Sequence, residues 1–130
     1  MTLSETQCRH TLNMARLILR ADELGYAVKV CGWNRTVAEQ QEFVSSGKSK
    51  TMMSPHLELR ATDLVLFRGG KCMCEGEAFR PLGEFWESLG GKWGGRFHDP
   101  VKWRSKYGRD FDPAKDLGWD TPHFETPKEA

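Results

Sequence analysis

The chain has 130 residues and a mass of 14.9 kDa, 38% hydrophobic and 28% charged, which fits one globular domain spanning residues 1–130 and leaves no room for a second of substantial size. Nineteen basic against eighteen acidic residues give a net charge of +1, which argues against the broad positive face of a non-specific nucleic-acid binder. No stretch approaches the roughly 20 apolar residues of a membrane span, and the charge-interrupted N-terminal segment has no apolar core of signal-peptide length, so a soluble product made in the cytoplasm is expected.

Ser4 to Leu24 reads as a helix, with Cys8, Leu12, Ala15 and Leu19 at i, i+4, i+7 and i+11 as its apolar face, Ser4 as its cap and Gly25 as its stop. His10 then falls on the charged side, facing solvent. Tyr26 to Cys31 is a short β-rich run ended by Gly32. Thr36 and Glu39 form a capping box for a second helix that runs to a stop at Gly47, and Ser45 to Pro55 has loop composition. Ala61 to Phe67 is apolar on both alternating faces, which predicts a central strand buried on both sides. Gly69-Gly70 after it signals a tight hairpin. A third helix, about Arg80 to Leu89, has Pro81 in its first turn and Leu82, Phe85, Trp86 and Leu89 on one stripe. Lys92 to Asp120 shows little periodicity and reads as a long loop before a short strand at His123 to Glu125. This order predicts an α+β domain with a small, mainly antiparallel sheet and flanking helices.

The four cysteines contain no CxxC pair. Cys8 and Cys31 read as free thiols packed in the core, and Cys72 and Cys74, on one face of a strand, as packing residues more than as half of a metal site. The acids Asp99, Asp110, Asp112 and Asp116 lack EF-hand spacing.

Two features carry chemistry. Asp63 sits in the most apolar strand, where a carboxylate requires a partner: Arg35, Arg60, or a cation shared with His56 seven residues upstream. In WDTPHFE, Asp120, His123 and Glu125 crowd among bulky apolar residues, as in a cleft wall. Two histidines and one carboxylate from separate elements have the composition of a catalytic zinc site with one open position, and a further carboxylate beside it would supply the base. Glu125 and Ser54 can orient the imidazoles; for Glu125 the alternative is an exposed strand-end carboxylate. Trp86, Trp93, Trp103 and Trp119 are core or cleft-wall candidates, with a sugar or peptide platform as the sharper alternative. His98 is either a cleft-lining or a surface residue.

The stretch GWNRTVAEQQEFVSSGKSKTMMSPHLELRATDL, with LGEFWESLGGKWGGRF and WDTPHFE after it, resembles the M15 zinc peptidases, in the L-alanyl-D-glutamate endopeptidase and D-Ala-D-Ala carboxypeptidase-like branch found in bacteriophage endolysins and bacterial cell-wall enzymes. The resemblance covers about Val28 to Glu125 and rests on Arg35, Glu39-Gln40, Gly47 to Thr51, Ser54, His56, Asp63, Asp120 and His123. It implies one zinc ion held by His56, Asp63 and His123 in a cleft over the sheet, Asp120 as catalytic base, and Arg35 with Ser54 on the substrate side. The family usually has glycine three residues after the first histidine, where this chain has Leu59. The implied activity is hydrolysis of the peptidoglycan stem peptide, at the L-Ala–D-Glu bond, by a monomeric endolysin that is made without a signal peptide and reaches the wall after membrane permeabilisation. The alternatives are a D-Ala-D-Ala carboxypeptidase on the same scaffold and a non-catalytic zinc module that binds cell wall or protein.

Overall fold

The computed structural model describes residues 1–128 except Asn34, Lys50 and Met53; the Lys50 position of the Gly47 to Thr51 motif therefore lies outside the described residues. Helix α1 (Leu3–Glu23) leads into strand β1 (Ala27–Cys31), and α2 (Val37–Ser45) follows. A 3-10 turn at Pro55–Glu58 opens the long strand β2 (Ala61–Arg68), which returns as the two-residue β3 (Lys71–Cys72). Then come α3 (Arg80–Ser88), β4 (Lys92–Trp93), α4 (Pro100–Tyr107) and β5 (His123–Glu125). The strands pair antiparallel in the order β1-β2-β5-β4, with β3 paired to β2, and the α+β expectation holds. Among the described residues no helix is long and apolar enough to cross a membrane.

The hairpin turn at Gly69-Gly70 takes positive φ at both residues, 59° and 78°, the backbone twist that a two-residue connection between antiparallel strands requires. Strand β2 buries Thr62, Leu64 and Leu66 on one face, while Asp63, Val65 and Phe67 on the other are only half-buried. The expectation of burial on both sides is corrected: helices α1 and α3 cover one face, and Asp63 lies on the opposite, cleft-bearing face. The core joins Met14, Leu17 and Ala21 of α1 to Leu64, Leu66, Leu82, Trp86, Trp93 and Phe124.

The first helix is rotated from the predicted orientation. Its buried positions are Thr6, His10, Asn13, Met14, Leu17 and Ala21, whereas Leu12 and Leu19 are 55% and 64% exposed. Cys8 is exposed as well, and so are Cys31, Cys72 and Cys74, so no cysteine packs in the core. The helix turns polar residues inward because partners wait there. His10 is fully buried, with its ring nitrogens 2.8 Å from the hydroxyls of Thr126 and Thr62 and its ring edge-on to Trp86. A neutral imidazole has one donor and one acceptor nitrogen, and the two hydroxyls can satisfy both. The cap is Thr2 rather than Ser4: its hydroxyl accepts from the Glu5 amide, and the Glu5 carboxylate accepts from the Thr2 amide.

The predicted loop from Lys92 to Asp120 holds β4, a 3-10 turn at Gly94–Arg96, and α4. Helix α4 buries no residue, so it has no apolar stripe for periodicity to find. Its ends are marked instead: the Asp99 carboxylate accepts from the Val101 and Lys102 amides, Pro100 opens the first turn, and Gly108 closes it. The loop acids are occupied in local bonds, Asp110 with Arg104 and Asp116 with Arg109.

Burial, with the neighbouring His56, His123 and Arg60 acting in the same direction against the smaller pull of Glu125, lowers the His10 pKa from 6.5 to about 4. The unfolded chain thus binds a proton that the folded chain refuses between these values, so the stability held above the unfolded value is lost as pH falls through that window. Between neutral pH and about pH 4 the wild type should lose about 3 kcal/mol more than His10→Gln in urea unfolding. Parallel pH profiles for the two proteins would refute a neutral, buried His10.

Candidate metal centre

The register of the sheet assembles the site. Cys31 of β1 pairs with Asp63 of β2, and Asp63 pairs with His123 of β5, so the carboxylate and one imidazole are neighbours across a single rung. The second imidazole arrives from the 3-10 turn, whose start is capped by Ser54: its hydroxyl accepts from the His56 amide at 3.2 Å. Leu59 ends that turn in the left-handed conformation, φ 53° and ψ 37°, and is the one described non-glycine residue with positive φ. The main chain here adopts the conformation that suits glycine, with leucine in its place.

His56 Nε2, Asp63 Oδ1 and His123 Nδ1 converge. The separations are 3.3 Å between the imidazole nitrogens, 3.6 Å from His56 to Asp63 and 3.3 Å from His123 to Asp63. Tetrahedral coordination with bonds of about 2.0–2.1 Å separates ligand atoms by about 3.4 Å. Each imidazole also has its other nitrogen committed. His56 Nδ1–H donates to the Gly32 carbonyl at 2.5 Å, and His123 Nε2–H donates to the Glu125 carboxylate at 2.9 Å. Neither oxygen can donate, so both bonds place the proton away from the cluster and turn a lone pair toward it. Asp63 Oδ1 is buried without a hydrogen-bond partner, an orphaned acceptor that a cation would satisfy. This group can hold a metal ion, and it is the one such group among the described residues.

Burial lowers the His56 pKa, which keeps that ring neutral. Burial opposes charge on His123 too, but the adjacent Asp63 carboxylate and the bond to Glu125 prevail and carry its pKa up to about 9. A proton and a metal ion therefore compete for His123 Nδ1. Glu125 is only 15% exposed, and it accepts from His123 while Arg60 lies 3.4 Å from its other oxygen, so it orients the ring and is no free strand-end carboxylate.

Asp120 stands beside the cluster with Oδ2 3.7 Å from His123 Nδ1 and its side chain 41% exposed. Burial raises its pKa, and the negative charge of Asp63 adds to the rise. Its position is set by main chain. The Asp120 amide donates to the Gly94 carbonyl at 3.2 Å, and a Cβ on Gly94 would lie 1.9 Å from the Asp120 carbonyl oxygen. Only a residue without a side chain allows that approach. The indoles of Trp93 and Trp86 donate to the Thr121 and Glu125 carbonyls, fastening both ends of the segment that carries His123.

Arg35 has a side chain only 10% exposed and lies 3.9 Å from the second Asp63 oxygen. It donates to Gln40 at 2.8 Å, packs over Phe43, and its Nε is buried without an acceptor. Gln40, fully buried, donates in turn to the Ser49 hydroxyl and the Thr51 carbonyl. The sequence motif includes Gln40 without giving it this role, and nothing in the helix pattern marks it as the residue that α2 buries. Arg35, Lys48, Ser54, His56, Asp63, Asp120 and His123 all border one cleft of about 300 Å³. All six predicted site residues are thus brought together. His98 lies apart, stacked on Phe111 beside a second cleft.

No family model and no curated protein matches the chain. Among solved structures, the fold is similar to that of Serratia marcescens L-Ala D-Glu endopeptidase ChiX, at 24% identity and a TM-score of 0.59, over 88% of this chain and 78% of that one.

Two outcomes follow from this geometry. Glu125→Gln should weaken the binding of a divalent metal ion about 10- to 100-fold by isothermal titration, since it weakens the acceptor that orders the His123 ring; unchanged affinity would show that Glu125 does not orient it. Leu59→Gly should raise stability by about 1 kcal/mol in denaturant unfolding, because glycine adopts the left-handed region without the steric cost of a Cβ. A loss of stability would mean that the Leu59 side chain contributes more than its conformation costs.

Proposed function

We propose that this chain is a zinc-dependent peptidase of the bacterial cell wall that hydrolyses the L-Ala–D-Glu bond of the peptidoglycan stem peptide. The observation that carries this reading is the set of three ligand atoms at tetrahedral spacing, each imidazole oriented from behind, with the Asp120 carboxylate alongside. The fold similarity to an L-Ala D-Glu endopeptidase supports the choice of substrate. The same reading makes it an enzyme of the endolysin type that attacks the wall once the membrane is breached.

Zinc, held by His56, Asp63 and His123, would supply a Lewis acid that polarises the scissile carbonyl and acidifies water at neutral pH. Asp120 takes the proton of the attacking water and returns it to the leaving amine as the C–N bond breaks. Its raised pKa suits both halves of that exchange: a carboxylate in a polar, solvated setting would be a weaker base, and its protonated form would be too short-lived to serve as the acid. Arg35 presents a fixed positive charge, backed by Gln40, to a substrate carboxylate or to the charge that develops on the carbonyl oxygen. Ser54 borders the cleft and holds the His56 turn in place.

Digestion of purified peptidoglycan by the zinc-loaded protein should expose new D-Glu amino termini and L-Ala carboxyl termini by mass spectrometry. Release of free D-alanine alone would overturn the endopeptidase reading. Asp120→Asn should keep its zinc and lose about 10²- to 10⁴-fold in turnover; digestion at the wild-type rate would remove Asp120 from the base role.

A further inference from the structure

The cleft at the metal centre has a larger neighbour. A second, of about 360 Å³, runs between α4 and the segment before Asp120, bordered by Phe97, His98, Trp103, Tyr107 and Trp119 with Lys102 and Lys106 at its side. Its aromatic rings are partly occupied with one another, Trp103 against Tyr107 at 4.3 Å and against Phe111 at 4.9 Å. Trp119 and Tyr107 nevertheless remain 67% and 47% exposed. The Trp103 indole N–H is buried without an acceptor.

This cleft adjoins the metal centre. Phe97 lies 5.4 Å from the His123 ring and 6.4 Å from Trp119, the Trp119 amide donates to the Phe97 carbonyl, and Trp119 directly precedes Asp120. Arg35 and Lys48 border the metal centre's own cleft, where both approach the Phe43 ring, at 4.3 and 6.0 Å. The reacting bond would therefore have both exposed aromatic rings and cationic side chains as neighbours.

A stem peptide carries a partner for each about its first bond. On the amino side, L-alanine is amide-linked to the lactyl group of an N-acetylmuramic acid, so a sugar ring stands one residue from the scissile carbonyl. On the carboxyl side, γ-linked D-glutamate presents its α-carboxylate. Sugars offer an apolar C–H face that packs on exposed aromatic rings, with amide and hydroxyl groups around it for lysine donors.

We propose that the cleft bordered by Trp119 and Tyr107 is a glycan subsite, which takes the muramic acid sugar of the strand to which the stem peptide is still attached. The enzyme then acts on glycan-linked stem peptides in preference to free ones. This inference rests on the L-Ala–D-Glu reading, because no other bond between two residues of the stem peptide lies so near a sugar.

The test compares kcat/KM for a disaccharide-linked stem peptide with that for the same peptide lacking sugar. Wild type should favour the glycan-linked substrate by about tenfold, and the ratio should fall to near one in Trp119→Ala and in Tyr107→Ala. A ratio of one in wild type would overturn the subsite while leaving the peptidase reading intact. A separate titration with the peptide-free GlcNAc-MurNAc disaccharide, followed by tryptophan fluorescence, is independent of cleavage: a response lost in both variants supports the subsite even if no peptide is cut, and no response in wild type overturns it. Failure to cut either substrate would sink the peptidase reading, and the titration would then decide the subsite alone.

Discussion

The rung on which Asp63 faces His123 is the constraint that the rest of the site answers to. A carboxylate oxygen buried without a donor is costly unless positive charge meets it, and strand β2 places that oxygen on the face that the helices leave open. Every neighbouring element then supplies orientation. The Gly32 carbonyl at the end of β1 turns one imidazole, Glu125 on β5 turns the other, and Ser54 caps the turn that delivers His56. The sheet works here as a ruler: antiparallel register fixes which side chains can meet, and a slip by one residue would move Asp63 into the helix-covered core.

Asp63 and the Asp120, His123 and Glu125 cluster are legible because each is chemically conspicuous for its place: an acid in an apolar strand, and two acids with a histidine among bulky rings; the assignment of Arg35 and of separate roles within the cluster rests on the family resemblance. What escaped was whatever depends on tertiary partners. The α1 sequence contains two stripes at helical spacing, and the one with Leu12 and Leu19 looks more apolar. The true inner face includes Thr6, His10 and Asn13, which become good core residues only when Thr62 and Thr126 stand opposite His10. No count along one helix can reveal a hydroxyl on a distant strand. The cysteines failed for a related reason: burial statistics describe a residue type, and at these positions the fold has no interior to offer.

Helix α4 marks another limit. It packs no buried residue, so hydrophobic periodicity is silent, yet its start and stop residues are plain in the sequence. Elements held by caps and surface pairs are legible at their ends and illegible in their middles. Leu59 is the converse, a position where backbone geometry asks for glycine and the chain carries a larger residue. The turn keeps its shape because the His56 anchor at one end and strand β2 at the other determine it jointly.

The bond from the Asp120 amide to the Gly94 carbonyl joins two segments of main chain. That bond uses no side chain, and the close seat of Gly118 beside the Phe97 backbone is likewise main chain. Helix α4 and the aromatic cleft beside it can therefore diverge while the Asp120 carboxylate stays where it is. The surface that borders the centre and the centre itself become separable in evolution, so the one can be recast without rebuilding the other.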